Sequence, residues 1–390
     1  MKKKIDVSST QYLSIVEKEQ CTGCSACAQI CPKLAIRMLP DLEGFLYPYL
    51  NKTLCSRCNL CRRICPQLGD PSTDRGMTEV FCGSLTDGTL KESASGGAAY
   101  AISVQILANH GTVFGTAYVN RFKDASVIAV REISSMEALR GSKYIQGDKG
   151  HCFSEIEKEL QTNKPVCYIA LPCEIAGLKN YLRREYINLL TVELVCFGPT
   201  SPRVAEQYIE QIETQEKSQI VEFNTRYKEE GWVPPFLYIE LENGKKIIEK
   251  FYQTAYSAAL EKFHRPSCYH CHFKGDNTQA DLTIGDFWGI DLKDPRYNQY
   301  GVSILVAHSE RGFNMLKKLS GFTVFPATYE EVIRHNPMIE YCPPIGVRTR
   351  FAKNFVQSEL QIAYQREHSV LAKIQRKLEV TTKNIRKRQW

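Results

Sequence analysis

Two short runs of cysteine constrain this chain more than any other feature of its sequence. In each run four cysteines are separated by two, two and three residues, and a proline follows the last one. The runs are Cys21, Cys24, Cys27 and Cys31, and then Cys55, Cys58, Cys61 and Cys65. Cysteine at this density forms disulfides, binds zinc or holds an iron-sulfur cluster, and the spacing separates these uses.

The intervals match the ligand spacing of 4Fe-4S clusters in two-cluster bacterial ferredoxins, where the fourth cysteine of each run binds the other run's cluster. We therefore predict two clusters. The ligands of the first are Cys21, Cys24, Cys27 and Cys65. The ligands of the second are Cys55, Cys58, Cys61 and Cys31. A pair of zinc sites is the alternative, but zinc sites usually show two separated C-x2-C pairs.

Length and charge limit what the rest of the chain does. A ferredoxin module needs about 65 residues, so most of the 390 residues belong to at least one further domain. The net charge of +7 is concentrated at the two ends, and a nearly neutral body argues against nucleic acid as a partner. No apolar run suits a membrane span or a secretory signal, and many cysteines suit a reducing compartment, so we predict a cytoplasmic protein.

The carboxyl-terminal tail is basic, with eight Lys or Arg against two Glu in residues 366–390. Apolar and basic side chains alternate there at helical intervals. The apolar ones are Leu371, Ile374, Leu378 and Ile385, and the basic ones include Lys373, Arg376, Lys377 and Arg386. This pattern predicts either a helix that contacts an anionic membrane surface or acidic partner, or a solvated helix packed lightly on its own domain.

Between these ends, apolar strands alternate with helical stretches. This rhythm predicts an α/β domain with a mixed, largely parallel sheet, and Asn243-Gly244 predicts a hairpin. The expected fold class is thus α/β for the body, and α+β for the chain taken as a whole. We expect a ferredoxin-type domain with two 4Fe-4S clusters at 1–75, a mixed-sheet α/β domain at 76–345, and a basic helical tail at 346–390.

Four further cysteines lie where ligands are plausible: Cys173, Cys196, Cys268 and Cys271. The first two follow predicted strands, at the edge where α/β proteins collect binding groups. One C-x2-C pair and two single cysteines can provide the four ligands of a third cluster. Because His264, His270 and His272 lie nearby in the sequence, a zinc site is the alternative. The remaining body cysteines are predicted to be buried small apolar residues: Cys82, Cys152, Cys167 and Cys342.

Two stretches suit a phosphorylated cofactor, although a helix entry and a solvated loop are the plain alternatives. Ser95, Gly96 and Gly97 would offer backbone N–H groups at a helix start. A loop combines two cations, two small residues and a ring, namely Arg140, Gly141, Ser142, Lys143 and Tyr144. Asp286, Phe287 and Trp288 are a third candidate contact, or else core.

The body resembles the beta subunit family of coenzyme F420 hydrogenases and dehydrogenases. The resemblance runs from about residue 15 to 325, through "SASGG", "LRGSKYIQ", "LPCEIAGLKNYL", "VCFGPTSP", "RPSCYHCHFK", "DLTIGDFWGI" and "GVSILV". It implies that the four body cysteines bind a third 4Fe-4S cluster beside FAD, which the phosphate-binding stretches would hold. Glu174 and Phe197 depart from the family's usual Gln and His, which bears on substrate and flavin potential.

The resemblance implies an iron-sulfur flavoprotein oxidoreductase that passes electrons between one-electron carriers and a two-electron organic substrate, through 4Fe-4S clusters and FAD. A ferredoxin or another redox protein would be the partner, and a sugar-linked compound is one candidate substrate. No side chain is assigned as a catalytic acid or base. The alternatives are an F420-dependent hydride-transfer enzyme, with F420 as co-substrate, and a non-catalytic relay subunit.

Overall fold

The computed structural model describes residues 10–69, 78–344, 346 and 348–368. The amino-terminal module contains three strands and two one-turn helices. They are β1 (Thr10–Tyr12), α1 (Ala26–Gln29), β2 (Ile36–Pro40), β3 (Leu46–Asn51) and α2 (Leu60–Arg63). The strands form an antiparallel sheet in the order β1-β3-β2.

The two cysteine runs fold alike. Helix α1 follows Ser25 and α2 follows Asn59, and both of these residues adopt left-handed backbone conformations with φ of 67° and 59°. Each helix therefore begins just before the third cysteine of its run, at Cys27 and Cys61. The sequence repeat is thus a structural repeat, as the ferredoxin interpretation predicted.

The body is built around an eight-stranded sheet with helices. Its first half contains β4 (Glu79–Leu85), α3 (Ala98–Ala108), β5 (Thr112–Val119), β6 (Asp124–Val130), α4 (Cys152–Leu160), β7 (Val166–Ala170), α5 (Pro172–Leu182), β8 (Leu189–Leu194) and α6 (Pro202–Glu216). Its second half contains β9 (Ile220–Tyr227), β10 (Phe236–Leu241), β11 (Lys246–Lys250), α7 (Ala255–Lys262), β12 (Leu282–Asp286), β13 (Ser303–Ala307), α8 (Glu310–Leu316), β14 (Phe322–Pro326) and α9 (Tyr329–His335). Two more helices follow, α10 (Arg348–Gln357) and α11 (Leu360–His368).

The large sheet has the strand order β14-β4-β13-β12-β8-β7-β5-β6. Parallel pairing is confined to its centre, from β12 through β8 and β7 to β5. The outer pairings are antiparallel. The mixed α/β class is confirmed, whereas the expectation of a largely parallel sheet is wrong, because hydrophobic patterning reports burial and not strand direction.

A second, three-stranded sheet has the antiparallel order β11-β10-β9. The predicted hairpin is confirmed: β10 and β11 pair across Asn243-Gly244, and Gly244 has a φ of +81°. A positive φ is the reason that glycine suits this turn.

The module shares its core with the body. Cys24, Ala26 and Ile64 pack in one buried cluster with residues of α4 and α5. Phe45 of the module packs against Phe263 in a tilted arrangement, with 5.4 Å between ring centroids. These contacts fix the position of the two cysteine runs relative to the body.

Helices α10 and α11 pack onto the body, where Phe351 and Phe355 are fully buried. Arg350 on α10 donates to Glu367 on α11 at 2.7 Å. The tail residues predicted to form an amphipathic helix beyond 368 lie outside the described residues. Within the described ranges, no helix combines the length and the apolar character that spanning a membrane requires.

Candidate iron-sulfur and cofactor site

The structure brings one thiol from the second run to three thiols of the first. Cys21, Cys24, Cys27 and Cys65 line one small cavity of about 30 Å³, and we call them the inner set. Burial raises the pKa of Cys24 to about 12, and neighbouring thiols add to this effect. Crowded thiols resist ionisation, and a bound metal cluster would supply the positive charge that stabilises the thiolates.

The other four thiols form the outer set: Cys31, Cys55, Cys58 and Cys61. Burial and the thiols of Cys31, Cys58 and Cys55 raise the pKa of Cys61, so the four lie close together. Cys58 is exposed to solvent, and the other three are partly buried. Both groupings agree with the crossed ligand assignment predicted from the spacing, which stays a prediction.

The four body cysteines also converge. Cys173 lies in the first turn of α5 and Cys196 two residues after β8 ends, so neighbouring parallel strands deliver both. Cys268 and Cys271 come from the 3-10 helix Pro266–His270 and the residue after it. All four line a second small cavity of about 30 Å³, and we call them the body set. Burial, Glu174 and the other three thiols raise the pKa of Cys173 well above its usual range.

Buried charges surround the body set. Lys149 and Glu174 form an ion pair at 2.5 Å, and both side chains are almost fully buried. Burial opposes the charge on Lys149, but Glu174 more than offsets this, so the pKa of Lys149 is raised. Lys274 lines the same cavity. Cationic side chains at this position would complement a cluster held by four thiolates.

The histidines considered as zinc ligands do not line the body cavity. His270 and His272 are exposed, and His264 is buried with its Nδ1 2.9 Å from the carbonyl oxygen of Gly198. In the described part of the chain, no three or more His, Cys, Asp or Glu are spaced to bind a single metal ion. A four-iron cube places each thiolate on a different iron, so its ligands surround the cube and need not meet at one point.

Three of the four remaining cysteines are buried as predicted, namely Cys82, Cys152 and Cys167. The prediction for Cys342 is wrong. Cys342 is partly exposed, and its Sγ lies 3.9 Å from the carbonyl oxygen of Cys271.

Arg265 connects the inner set to the body set. Its Nε donates to the carbonyl oxygen of Cys21 at 2.6 Å, and its Nη2 donates to that of Leu46 at 2.8 Å. Its Nη1 donates to Gln146, which also accepts from the Leu46 amide at 2.8 Å. Arg265 is itself fully buried three residues before Cys268. One guanidinium therefore fixes the loop of the inner set against a segment of the body set.

Helix α5 makes a second connection. A Cβ added at Gly177 would lie 3.1 Å from the Sγ of Cys24. Any residue other than glycine would therefore require a slight shift of its neighbour. The same helix carries Cys173 in its first turn. The inner and body sets are thus held by shared elements at two points.

A large cavity of about 560 Å³ lies beside the body set. Nine of the ten predicted flavin contacts line it: Ser95, Gly97, Arg140, Gly141, Ser142, Lys143, Tyr144, Asp286 and Trp288. Gly96 is instead pressed against the sheet, since a Cβ there would lie 2.3 Å from the carbonyl oxygen of Gly83. Phe287 is fully buried in the core with Cys82.

Arg226 of β9 joins three segments of this cavity. It forms a bidentate pair with Asp286 at 2.8 and 3.1 Å. It also donates to the Tyr144 hydroxyl at 3.0 Å and lies 4.8 Å from the Trp288 ring centre. Sequence reasoning missed Arg226, because an arginine on an ordinary strand carries no motif.

Lys228, two residues further on, holds the Ser95 loop. Its Nζ donates to the carbonyl oxygens of Ser95 at 2.7 Å and Leu90 at 3.2 Å, and also to that of Tyr300. Gly97 precedes α3 with a φ of +84°, and its neighbour Ala98 begins the helix at the cavity wall. The amino terminus of an eleven-residue helix therefore faces the cavity.

The loop containing Arg140 adds two cations. The guanidinium of Arg140 lies 4.0 Å from the Tyr100 ring centre and pairs with Glu92, while its buried Nη2 has no hydrogen-bond partner within the described residues. Lys143 is buried and donates to the carbonyl oxygen of Arg140. Burial lowers the pKa of Lys143 to about 7. An unpartnered buried donor and a desolvated lysine suit an anionic ligand.

Comparisons with known proteins identify two domains. Residues 20–68 match the 4Fe-4S dicluster domain. Residues 163–325 match the family described as the C-terminal region of the beta subunit of coenzyme F420 hydrogenase/dehydrogenase, so the resemblance recognised from the sequence is confirmed. All four cysteines of the body set fall within the second match.

Among solved structures, the chain is similar to one in a xenon-derivatised F420-reducing [NiFe] hydrogenase complex from Methanosarcina barkeri. The identity is 16%, the aligned region covers 74% of this chain and 90% of that chain, and the TM-score is 0.45. No curated protein matches the chain. The two matches indicate an iron-sulfur electron-transfer protein whose residues 163–325 are similar to the beta subunit of F420 hydrogenase/dehydrogenase oxidoreductases.

Proposed function

We propose that this chain, in which a 4Fe-4S dicluster domain is joined to the beta subunit domain of the F420 hydrogenase/dehydrogenase family, is a flavin-containing oxidoreductase. It would connect a one-electron carrier to a two-electron organic substrate through three 4Fe-4S sites and FAD. The observation that carries this proposal is a row of three cavities that share walls.

Thr22 lines both the inner-set cavity and the body-set cavity. Leu171, Glu174 and the segment 196–199 line both the body-set cavity and the large cavity. Groups bound in these three places would be neighbours, separated by single layers of protein. Such an order is what a relay from the module to an enclosed reaction site requires.

When bound, the clusters supply single-electron transfer, and the flavin supplies exchange between one-electron and two-electron chemistry. The inner, outer and body sets would provide the twelve thiolate ligands named above. Their fit rests on the convergence of four thiols at each of the three places, with no disulfide among them.

The fit of the large cavity to FAD rests on its donors. The amino terminus of α3, the unpartnered Nη2 of Arg140 and the ammonium group of Lys143 would bind the phosphates. Asp286 is held by Arg226, and Trp288 stacks on Trp232 with ring centres 4.8 Å apart. These residues would orient the ring system and exclude water from one side.

The size of the cavity suits a bound cofactor, and open space for a substrate beside the flavin ring would separate an enzyme from a pure relay. A volume of about 560 Å³ is within the range of small-molecule sites. F420 is a second candidate for the two-electron partner, favoured by the matched family. Adding reduced F420 to the FAD-loaded protein and following FAD absorbance tests it, and an unchanged spectrum would exclude F420.

The main test is anaerobic mixing of fully loaded protein with chemically reduced ferredoxin. We expect loss of the flavin absorbance band in the native protein and a greatly slowed loss in the Cys268→Ala/Cys271→Ala variant, which lacks half of the body set. Cys152→Ala, at a buried cysteine outside the three sets, is the matched control. If the flavin is reduced equally fast in all three proteins, the proposed route through the body set is wrong.

A further inference from the structure

We infer that the exposed end of the module around the outer set is the docking surface for an acidic one-electron carrier protein. We call it the basic end, and it consists of Lys33, Leu34, Lys52, Leu54, Arg57, Arg62 and Arg63 together with Cys58. This inference rests on the proposed function and adds to it the place and the chemistry of the partner.

The cations of the basic end lie close to the outer cysteines along the chain. Lys33 follows Cys31 by two residues, Arg57 lies between Cys55 and Cys58, and Arg62 directly follows Cys61. Arg63 is the last residue of the one-turn helix α2, which begins two residues after Cys58. The exposed thiol of the outer set therefore has Arg57 beside it in the chain and two further arginines on the helix that follows.

Within the described residues, the segment that contains the two cysteine runs has few carboxylates. Residues 44–69 contain no Asp or Glu, and residues 20–43 contain only Asp41 and Glu43. Asp41 pairs with Lys18 at 2.8 Å, and Glu43 pairs with Arg348 of helix α10. Within the described residues, the five cations of the basic end form no ion pair with a carboxylate. All five side chains are exposed.

Two apolar side chains complete the surface. Leu34 is 64% exposed and Leu54 is 52% exposed. Exposed leucines beside unpaired cations resemble a transient interface, which combines a small apolar contact with a charged rim. Complementary charge on a partner would orient it during the encounter and speed association. The partner that fits is a protein whose own redox centre is bordered by carboxylates.

The opposite side of the module is closed to such a partner. In the body, the inner set faces Arg265 and also Gly177, which lies on α5. Cys24 is only 8% exposed. An electron that enters from outside therefore enters at the outer set. A cluster held by the outer set would take up the one electron that the carrier loses, with no bond or proton exchanged.

A second role for the same charges is to offset the negative charge of the clusters and their thiolates. Ionic strength separates the two roles. Steering of a partner is screened by salt over a Debye length of about 30 Å at 0.01 M and about 3 Å at 1 M. An effect on the cluster's own potential through contacts of a few ångströms is screened far less.

The test compares two triple variants of the full chain, each loaded with clusters and flavin. The first is Lys52→Gln/Arg62→Gln/Arg63→Gln at the basic end. The matched control is Lys164→Gln/Lys293→Gln/Lys318→Gln, which removes three exposed cations of the body that line none of the three cavities. The probe is a reduced, acidic two-cluster ferredoxin, and the measured quantity is the second-order rate constant for cluster reduction in stopped flow.

We expect the basic-end variant to react about tenfold or more slowly at 0.01 M ionic strength, because steering raises such rates by about 10–1,000-fold. The difference should shrink to about twofold at 1 M salt, and the control should match the native protein throughout. Equal rates for both variants at low salt would overturn the docking surface. So would a slowing of the basic-end variant that is the same at both salt concentrations.

Dithionite, which needs no docking surface, separates this inference from the proposed function. It should reduce the clusters of both variants equally. If ferredoxin reduces the native flavin but the basic-end variant is unaffected, only the docking surface is wrong. If no donor leads to flavin reduction in the native protein, the proposed function fails, and the docking surface fails with it.

Discussion

The outer set and the body set each consist of four cysteines, but the two sets lie in opposite surroundings. The outer set lies at an exposed end of the module, beside cations that have no carboxylate partner among the described residues. The body set is enclosed with a buried ion pair and lies against the large cavity. Exposure suits exchange with another protein, and enclosure suits transfer to a bound cofactor.

On the proposed function, the difference shows how cysteine ligands would serve two tasks. Charge at the outer set remains in water, where each interaction is weak but long-ranged at low salt. Charge at the body set is desolvated, where an ion pair must be complete or its loss is severe. The inner set lies between them and is tied to the body by Arg265.

The largest effect should come from breaking the buried pair of the body. Lys149→Met leaves Glu174 buried without its partner and should lower the free energy of unfolding by about 3–5 kcal/mol. Urea titration of the loaded protein under anaerobic conditions measures this change. The double variant Lys149→Met/Glu174→Gln should recover most of the loss.

An exposed pair provides the control for this prediction. Arg334 and Glu330 lie four residues apart on α9 at 3.2 Å, with both side chains largely exposed. Arg334→Met should change the free energy of unfolding by about 0.5 kcal/mol or less. If the two single variants lose similar stability, the contrast between enclosed and exposed charge does not hold.

Removing Arg265 should loosen the module from the body. Arg265→Ala removes the donor from the partly buried carbonyl oxygens of Cys21 and Leu46, at a cost of about 1 kcal/mol each. Hydrogen exchange of the Leu46 amide, which donates to Gln146, should accelerate. Arg265→Lys keeps the charge and loses the forked geometry, so an intermediate rate is expected. Unchanged exchange in both variants would show that the connection lies elsewhere.

Flavin affinity should decrease as pH rises through about 7. Burial lowers the pKa of Lys143 from 10.5 to about 7, although Glu137 opposes this, and only protonated lysine attracts a phosphate. We expect about tenfold weaker FAD binding at pH 9 than at pH 6, equivalent to about 1.4 kcal/mol. Equilibrium dialysis measures it. Lys143→Met should bind FAD weakly with a flatter pH profile, and a native profile in this variant would exclude Lys143.

The pH dependence that Lys143 gives to the free energy of unfolding is opposite to the one it gives to flavin affinity. The pKa of Lys143 is lower in the folded protein than in the unfolded chain, so the unfolded chain binds more protons between pH 7 and 10.5. The contribution of Lys143 to the unfolding free energy without ligand therefore rises with pH across that window. Flavin affinity and this contribution should change in opposite directions.

The smallest effect should come from Cys342, which lies beside the body set but outside its cavity. Cys342→Ser should leave the iron content unchanged. Cys271→Ser should remove the body cluster, or about four irons per chain. Loss of iron in both variants would mean that Cys342 is a ligand and that the body set is incorrectly defined.

The dicluster module was predictable because the spacing of its proposed ligands is local, and residues 20–68 match such a domain. Three of the four cysteines in each set come from one run, and a short helix begins between the second and third of them. The body set could be predicted from the sequence for another reason. Two of its cysteines follow strands that are adjacent and parallel, β7 and β8, so their carboxyl ends meet at one edge.

Contacts that depend on the relative placement of distant segments were not predictable in this way. Arg226 meets Asp286 across 60 residues of chain, and Arg265 meets Cys21 across 244. Neither arginine lies in a pattern that indicates burial. The directions of the outer strands were missed for the same reason, since β4 pairs with β13 and β14 from the far end of the body.

Anaerobic quantitation of iron, sulfide and flavin in the native protein and in Cys268→Ala/Cys271→Ala tests the central claim most directly. That claim is three clusters in line with one flavin. It predicts about twelve irons and one FAD per native chain, and about eight irons in the variant. About eight irons in both proteins, with zinc present and no flavin, would contradict it and leave a dicluster ferredoxin joined to a zinc-containing domain.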